Sequence, residues 1–422
     1  MQHWRGWQLR AARATIVASA GLALILSGTQ AAIASTTAAE EDIPPATIAE
    51  LKAAVHDDIE PIAVAGAERR AAAVEDCREA PTADGESLCI APAETSTFGR
   101  SDVGTRAVQP IPSWCANNFN GGRLVTRTQD CETFDVTITK RVTTNGTTTI
   151  VGTASVALYS YQYTSYSTAA VAHQYGFSVS TITGDVSGIT MSAASNCTGS
   201  CVHTAAAILA TPVALTGWHE AEAFTLPPST AIGSIYYLAT GWVLTVNLPG
   251  STTGPSTVPT DQYDLRCDNA AGGSAPSAGC AVYYAPGRVA FSSASNPTLV
   301  AHLSQAIGSG LPGGSVLDPL HRTQVQSVIN LNRSIACGGV SGPAGTTCDE
   351  YPFASSYEGA ASGGSARSFP GCSLSDPPAT GPVGYSRCMV VAGQNSSGGA
   401  ILGNTYRQQR ILDGDPFYVA LS

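Results

Sequence analysis

The sequence predicts an all-β, sandwich-like domain followed by a compact α+β domain. Three observations carry this reading. Period-two alternation rich in Thr, Ser, Val and Tyr runs through the middle of the chain, helices with one apolar face follow it near the end, and twelve cysteines fall into neighbouring pairs. The 422 residues are 43% apolar and 12% charged, with a net charge of -10. Such a chain can bury real cores, which excludes collagen, coiled coil and wholesale disorder. One long apolar stretch is present, which excludes a polytopic membrane protein.

That stretch is N-terminal. Arg5, Arg10 and Arg13 precede an apolar run from Thr15 to Leu26, and Ala32-Ile33-Ala34 supplies small residues for cleavage. Residues 1–34 therefore read as a secretory signal peptide, cut near Ala34 with no later membrane span, rather than as a short uncleaved anchor. Export agrees with the cysteines, since disulfides persist in oxidising compartments. Sequential pairing is expected: Cys77 with Cys89, Cys115 with Cys131, Cys197 with Cys201, Cys267 with Cys280, Cys337 with Cys348 and Cys372 with Cys388. Structural zinc lacks the usual ligand spacing.

Residues 35–108 hold 15 acids against 6 bases. They read as an acidic, partly helical leader or linker, with helical stretches at Thr47–Ile59 and Ala65–Cys77 interrupted by prolines. A solvated spacer and a masking propeptide are its two possible roles. Residues 109–285 form the β-rich domain. Phe134, Val136 and Ile138 alternate with Asp135, Thr137 and Thr139, and Asn145-Gly146 then marks a type I′ hairpin. Further strands are expected at Tyr175–Thr183, Ile232–Val246 and Cys280–Phe291. In residues 286–422, seven acids meet seven arginines. Leu299, Leu303, Ala306 and Ile307 share one face of a helix over Thr298–Ile307, and Arg322–Ala336 is a second helix. Strands are expected at Cys388–Ala392 and Phe417–Leu421.

Trp218-His219-Glu220 lacks partners at known spacing and reads as a structured loop, and His173 and His203 point to a site even less. No G-x-S-x-G elbow, H-E-x-x-H, P-loop or G-x-G-x-x-G is present, so the common hydrolase and nucleotide-binding classes lose their support. The densest polar cluster runs from Cys348 to Gly359 and contains Asp349, Glu350 and Glu358. Carboxylates hold hard cations and accept protons from water. On a strand, Asp349 and Glu350 face opposite ways, so one is expected at the chemistry and the other in the scaffold. A solvated acidic turn is the competing reading.

Asp349-Glu350-Tyr351-Pro352-Phe353-Ala354 resembles the Asp-Glu-Trp-Pro core of the secreted NucA/NucB deoxyribonucleases. His302-Leu303-Ser304-Gln305-Ala306-Ile307 resembles the family's helix ahead of that core, and Pro319-Leu320-His321-Arg322 the entry of larger members. Asn395, Gly398-Gly399, Gly403-Asn404 and Leu412-Asp413-Gly414-Asp415-Pro416-Phe417 resemble its ending. The likeness spans roughly residues 290–422.

The resemblance implies a nuclease domain of the ββα-metal type, using a divalent cation such as Mg or Mn, and a secreted, sequence-nonspecific endonuclease cutting DNA, with RNA the alternative. It implies catalytic roles for Asp349, as base, and Glu350. It places the metal at Asn404 and Glu350, with Asn395 a helper at the substrate; read from their own chemistry, Glu358 is a further candidate for the cation and Arg322, His321, Arg407 and Arg410 are candidate substrate contacts. Tyr351 replaces a tryptophan, and Gln394-Asn395-Ser396 stands where Asp-Asn-Arg is expected. His302 and His321 are candidate acids or ligands against a core or capping role.

Arg322, Arg333, Arg367, Arg387, Arg407 and Arg410 are expected to line a phosphate groove, with modest affinity and steep salt dependence. The alternatives are a secreted β-rich binding or surface protein with an inactive nuclease-like tail, and a delivered nuclease toxin. The β domain is expected either to contact glycan or cell wall or to brace the enzyme.

Overall fold

The computed structural model describes residues 43–54, 61–64, 83–93, 108–118, 122–214, 217–260, 262–273 and 277–422. The expected signal peptide and the helix expected at Ala65–Cys77 lie outside the described residues. Gln129–Thr144 and Thr147–Thr164 form the long antiparallel hairpin that the alternation predicts. Its turn residues Asn145 and Gly146 sit at φ 51° and 73°, the left-handed pair a type I′ turn requires.

The hairpin is the centre of an eight-stranded sheet. Val171–Gly184, Trp218–Leu226 and Val202–Thr204 continue it on one side. Gly85–Pro92, Arg123–Val125 and Ile62–Val64 complete the other. A six-stranded sheet is built on Ile235–Asn247 and its neighbours Thr190–Gly199, Tyr263–Asp268 and Ser256–Pro259.

The two sheets share one apolar core. Phe134, Val136, Ile138, Val156, Leu158 and Phe177 from the first meet Met191, Trp242, Leu244, Val246 and Val258 from the second. This is face-to-face sandwich packing. Trp242 is fully buried, stacks on Tyr175 and donates its indole N–H to the His173 carbonyl at 3.2 Å.

Three expectations change. Gly85–Pro92, expected within the leader, is a sheet strand with Leu88 and Ile90 buried. Its apolar run, Leu88 to Ala91, is too short for periodicity to reveal. Within the same segment the first expected helix is Pro45–Ala53, and residues 55–60 are not described. Trp218-His219-Glu220 starts a strand rather than forming a loop, with His219 packed on Phe177. The strand expected at Cys280–Phe291 is split into Gly279–Ala281 and Gly287–Phe291, with Pro286, which cannot donate to a ladder, at the break.

Gly287–Phe291 belongs to the C-terminal region, where it pairs in parallel with Pro416–Leu421. Helices Pro297–Gly308, Gln326–Cys337 and Ala392–Gln408 pack with two three-stranded sheets. One of these pairs Thr346–Tyr351 antiparallel with Tyr385–Val391, and the latter runs straight into the 392–408 helix. Val289, Phe291, Leu299, Leu303, Phe353, Tyr406 and Phe417 form the local core. Gly398 lets the 392–408 helix approach the 297–308 helix, because a Cβ there would lie 2.5 Å from Leu299 Cδ2.

A buried ionic network ties this region to the sandwich. Asp415 accepts from Arg127 and from both terminal nitrogens of Arg266, the latter at 2.7 and 2.9 Å. Arg410 donates to Asp268 and to the carbonyls of Tyr166 and Ser277. Disulfides join Cys115–Cys131, Cys197–Cys201, Cys267–Cys280, Cys337–Cys348 and Cys372–Cys388. Cys89 is also disulfide-bonded, and Cys77 lies outside the described residues. No helix among the described residues is long and apolar enough to cross a membrane.

Candidate active site

A cavity of about 430 Å³ opens in the C-terminal region, between the 346–351 strand and the 326–337 and 392–408 helices. Phe291, Leu299, Phe353 and Tyr406 give it an apolar lining, and Arg333, Asp349, Glu350 and Asn395 are the charged and amide side chains that border it. Both adjacent carboxylate residues therefore border one site. Their side chains nevertheless meet different partners, His302 beside Asp349 and Cys337 beside Glu350.

Each polar group has a distinct setting. Asp349 is 7% exposed, and its Oδ2 lies 2.7 Å from His302 Nδ1. His302 Nε2 in turn lies 2.9 Å from Ser386 Oγ. Glu350 is half-buried, and no side chain around it supplies an N–H or O–H among the described residues. Its polar neighbour is Cys337 Sγ at 3.6 Å, a disulfide sulfur with no proton to give. Loss of hydration, and next repulsion from Asp349, raise the Glu350 carboxyl to about 7 against the pull of Arg333.

Asn395 donates through Nδ2 to the Cys348 carbonyl at 3.0 Å and to Thr347 Oγ1 at 3.1 Å. A carbonyl can only accept, so the amide orientation is fixed. Its Oδ1 receives no hydrogen bond among the described residues. Three oxygen-bearing groups thus border the cavity: the Glu350 carboxylate, the Asp349 carboxylate and the Asn395 amide carbonyl.

The other expected site residues lie elsewhere. Asn404 and Arg407 are exposed, bonded to each other on one helix, and do not border the cavity. Glu358 accepts from the His321 backbone N–H at 2.9 Å and pairs with its Nδ1 at 2.8 Å, forming a separate pair. Arg322 donates to the Ile411 carbonyl and lies 4.5 Å over the Tyr406 ring. Arg410 is 1% exposed in the ionic network, so it cannot reach a substrate. Arg367 is buried on loop carbonyls, and Arg387 is held by Asp376. Of the six arginines expected in a groove, Arg333 and Arg407 are exposed.

The expected metal set of Asn404, Glu350 and Glu358 is not gathered. No group of three or more His, Cys, Asp or Glu side chains among the described residues could hold a metal ion.

The Asp349-Glu350 strand, the Asn395 helix and the terminal strand that supports them lie within one continuous stretch. Residues 322–420 match the deoxyribonuclease NucA/NucB family. No curated protein matches the chain. The NucA/NucB match covers neither the sandwich nor the 297–308 helix, so His302 reaches Asp349 from outside it.

One departure from the NucA/NucB pattern has a visible local role. Gln394 Oε1 accepts from the Thr298 N–H and the Thr298 hydroxyl, both at 2.8 Å. A glutamine on one helix thereby caps the free N–H groups at the start of another. Sequence reasoning passed over Ser386. Nothing next to it in the chain marks it, since its neighbours Arg387 and Cys388 are occupied by an ion pair and a disulfide.

Proposed function

We propose that the C-terminal region is a secreted, metal-dependent endonuclease that hydrolyses DNA without sequence preference. The observation that carries this is the convergence of Asp349, Glu350 and Asn395 on one cavity inside the NucA/NucB-matched segment. The antiparallel strand pair leading into the 392–408 helix supports a ββα-metal reading of that segment. Bridged cysteines support an oxidising destination.

The residues present suit a hard divalent cation. Glu350 is a half-buried carboxylate that lacks donors from neighbouring side chains, and Asn395 turns its one acceptor away from the strand it is tied to. Carboxylate and carbonyl oxygens are what Mg or Mn prefers, with waters and phosphate completing the shell. We assign Glu350 and Asn395 as its ligands in place of Asn404 and Glu358. When bound, the cation stabilises negative charge on the phosphate and the leaving oxygen.

The chain's own residues do the rest. Asp349 takes a proton from water in the cavity as the water oxygen forms its bond to phosphorus. The bond from phosphorus to the 3′ oxygen breaks, and that oxygen takes a proton from solvent. Arg333, at the cavity edge, holds a phosphate oxygen, and Phe353 and Tyr406 limit the water in the site. The purified mature chain should degrade plasmid DNA, and EDTA should stop it. Asp349→Ala should remain folded by circular dichroism and lose roughly 10²- to 10⁴-fold in rate. An EDTA-insensitive wild type, or an active Asp349→Ala, would sink the proposal.

A further inference from the structure

We infer that His302 is a positioning residue that aims Asp349 into the cavity, with Ser386 holding the far side of its ring. This deepens the nuclease reading and rests on it. The 297–308 helix buries Leu299, Leu303 and Ala306 in the local core, and His302 is 1% exposed on the same helix. A buried imidazole needs a partner for each nitrogen. Here the partners come from two paired strands: Asp349 from one and Ser386 from the other.

Ser386 has one proton and two acceptors in reach, His302 Nε2 at 2.9 Å and the Tyr351 carbonyl at 3.3 Å. Given to Nε2, that proton leaves the imidazole hydrogen on Nδ1, pointing at the Asp349 carboxylate. Given to Tyr351, it obliges Nε2–H to donate to the serine, and Nδ1 then meets the carboxylate only by carrying a proton as well. In both arrangements Nδ1–H holds Oδ2. Asp349 Oδ1, which has no hydrogen bond among the described residues, is left for water.

The bonding order serine, histidine, aspartate is that of a serine hydrolase. The exposure runs the other way. Ser386 is 0% exposed and does not border the cavity, whereas Asp349 does. Serine nucleophilic chemistry is excluded, and the carboxylate is the working end. A partner that only orients a reactive group typically changes activity by about 10- to 100-fold.

The test compares His302→Leu, His302→Asn and Ser386→Ala in steady-state plasmid cleavage, with thermal unfolding as the folding control. His302→Leu should lower kcat by about 100-fold while KM changes by less than about 3-fold. His302→Asn places an amide N–H near the former Nδ1 and should recover to within about 10-fold of wild type. In an Asp349→Asn background, His302→Leu should add no further loss, because its partner is already gone.

If His302→Leu fails to fold, His302→Asn and Ser386→Ala, each combined with Asp349→Asn, decide the matter in the same way. Additive losses in the double variants, or a wild-type kcat in His302→Leu, overturn the inference and leave the nuclease reading standing. A wild-type chain that does not cut DNA overturns both.

Discussion

Glu350 is the residue with the clearest physical signature. Its carboxyl is raised to about 7, first by lost hydration and then by Asp349. The sign for stability follows. A carboxyl that is harder to ionise in the folded chain favours folding fully below its ordinary range near 4.5, and this contribution is lost as pH rises through about 7. In EDTA, wild type should lose roughly 2–3 kcal/mol between pH 5 and pH 8 relative to Glu350→Gln. Urea unfolding at the two pH values checks this, and parallel behaviour of the two proteins would refute it. The Asp349-Glu350 pair itself was legible, because adjacent carboxylates beside aromatics and proline stand out in a chain so poor in charge. Which partners they meet was not. The contact between His302 and Asp349 spans 47 residues, and that between His302 and Ser386 spans 84, so nothing local encodes either. Asn404 and Glu358 were misplaced for the same reason: resemblance supplies residue types, whereas the cavity depends on which side of a helix or loop each one occupies.

At the scale of elements, the cavity stands on one crosslink. Cys337 ends the 326–337 helix, Cys348 sits just before Asp349, and both line the cavity. Closing a short loop of this kind contributes about 2–4 kcal/mol. Replacing both cysteines by alanine should lower the melting temperature and reduce cleavage more than DNA binding, as judged by activity and fluorescence anisotropy on the same preparation. Equal losses would argue that the bridge does not hold Asp349 in register. Elements with a strong local signal were read well: the Asn145-Gly146 hairpin, the 297–308 helix and the terminal strand all appear near their expected positions. The helix expected from Arg322 starts only at Gln326, because Leu320-His321 is taken up by pairing with the terminal strand. There tertiary pairing overrides helix periodicity.

At the scale of the molecule, electrostatics are set more by folding than by composition. Most arginines of the C-terminal region are consumed internally, leaving Arg333 and Arg407 from the expected groove, with Arg288 also exposed. Few phosphates can be neutralised, so the steep salt dependence expected from sequence gives way to a shallow one. The slope of log affinity against log salt should be about -2 to -3. A slope near -6 in anisotropy titrations would mean that other cations line the path. Asp415 is the other global lever. Asp415→Ala would leave Arg127 without a carboxylate in the interior and Arg266 with Asp268 as its remaining one, and should cost roughly 3–5 kcal/mol by urea unfolding. A loss below about 1 kcal/mol would show that the network is solvated. The same network limits how the chain can be divided. A fragment beginning at residue 286 would retain every residue assigned to catalysis, yet it would uncover Arg410 and Asp415 without Arg127, Arg266 and Asp268. The sandwich therefore supplies counter-charges to the turn that precedes the last strand of the nuclease region, and severing the two leaves that turn without its anchorage.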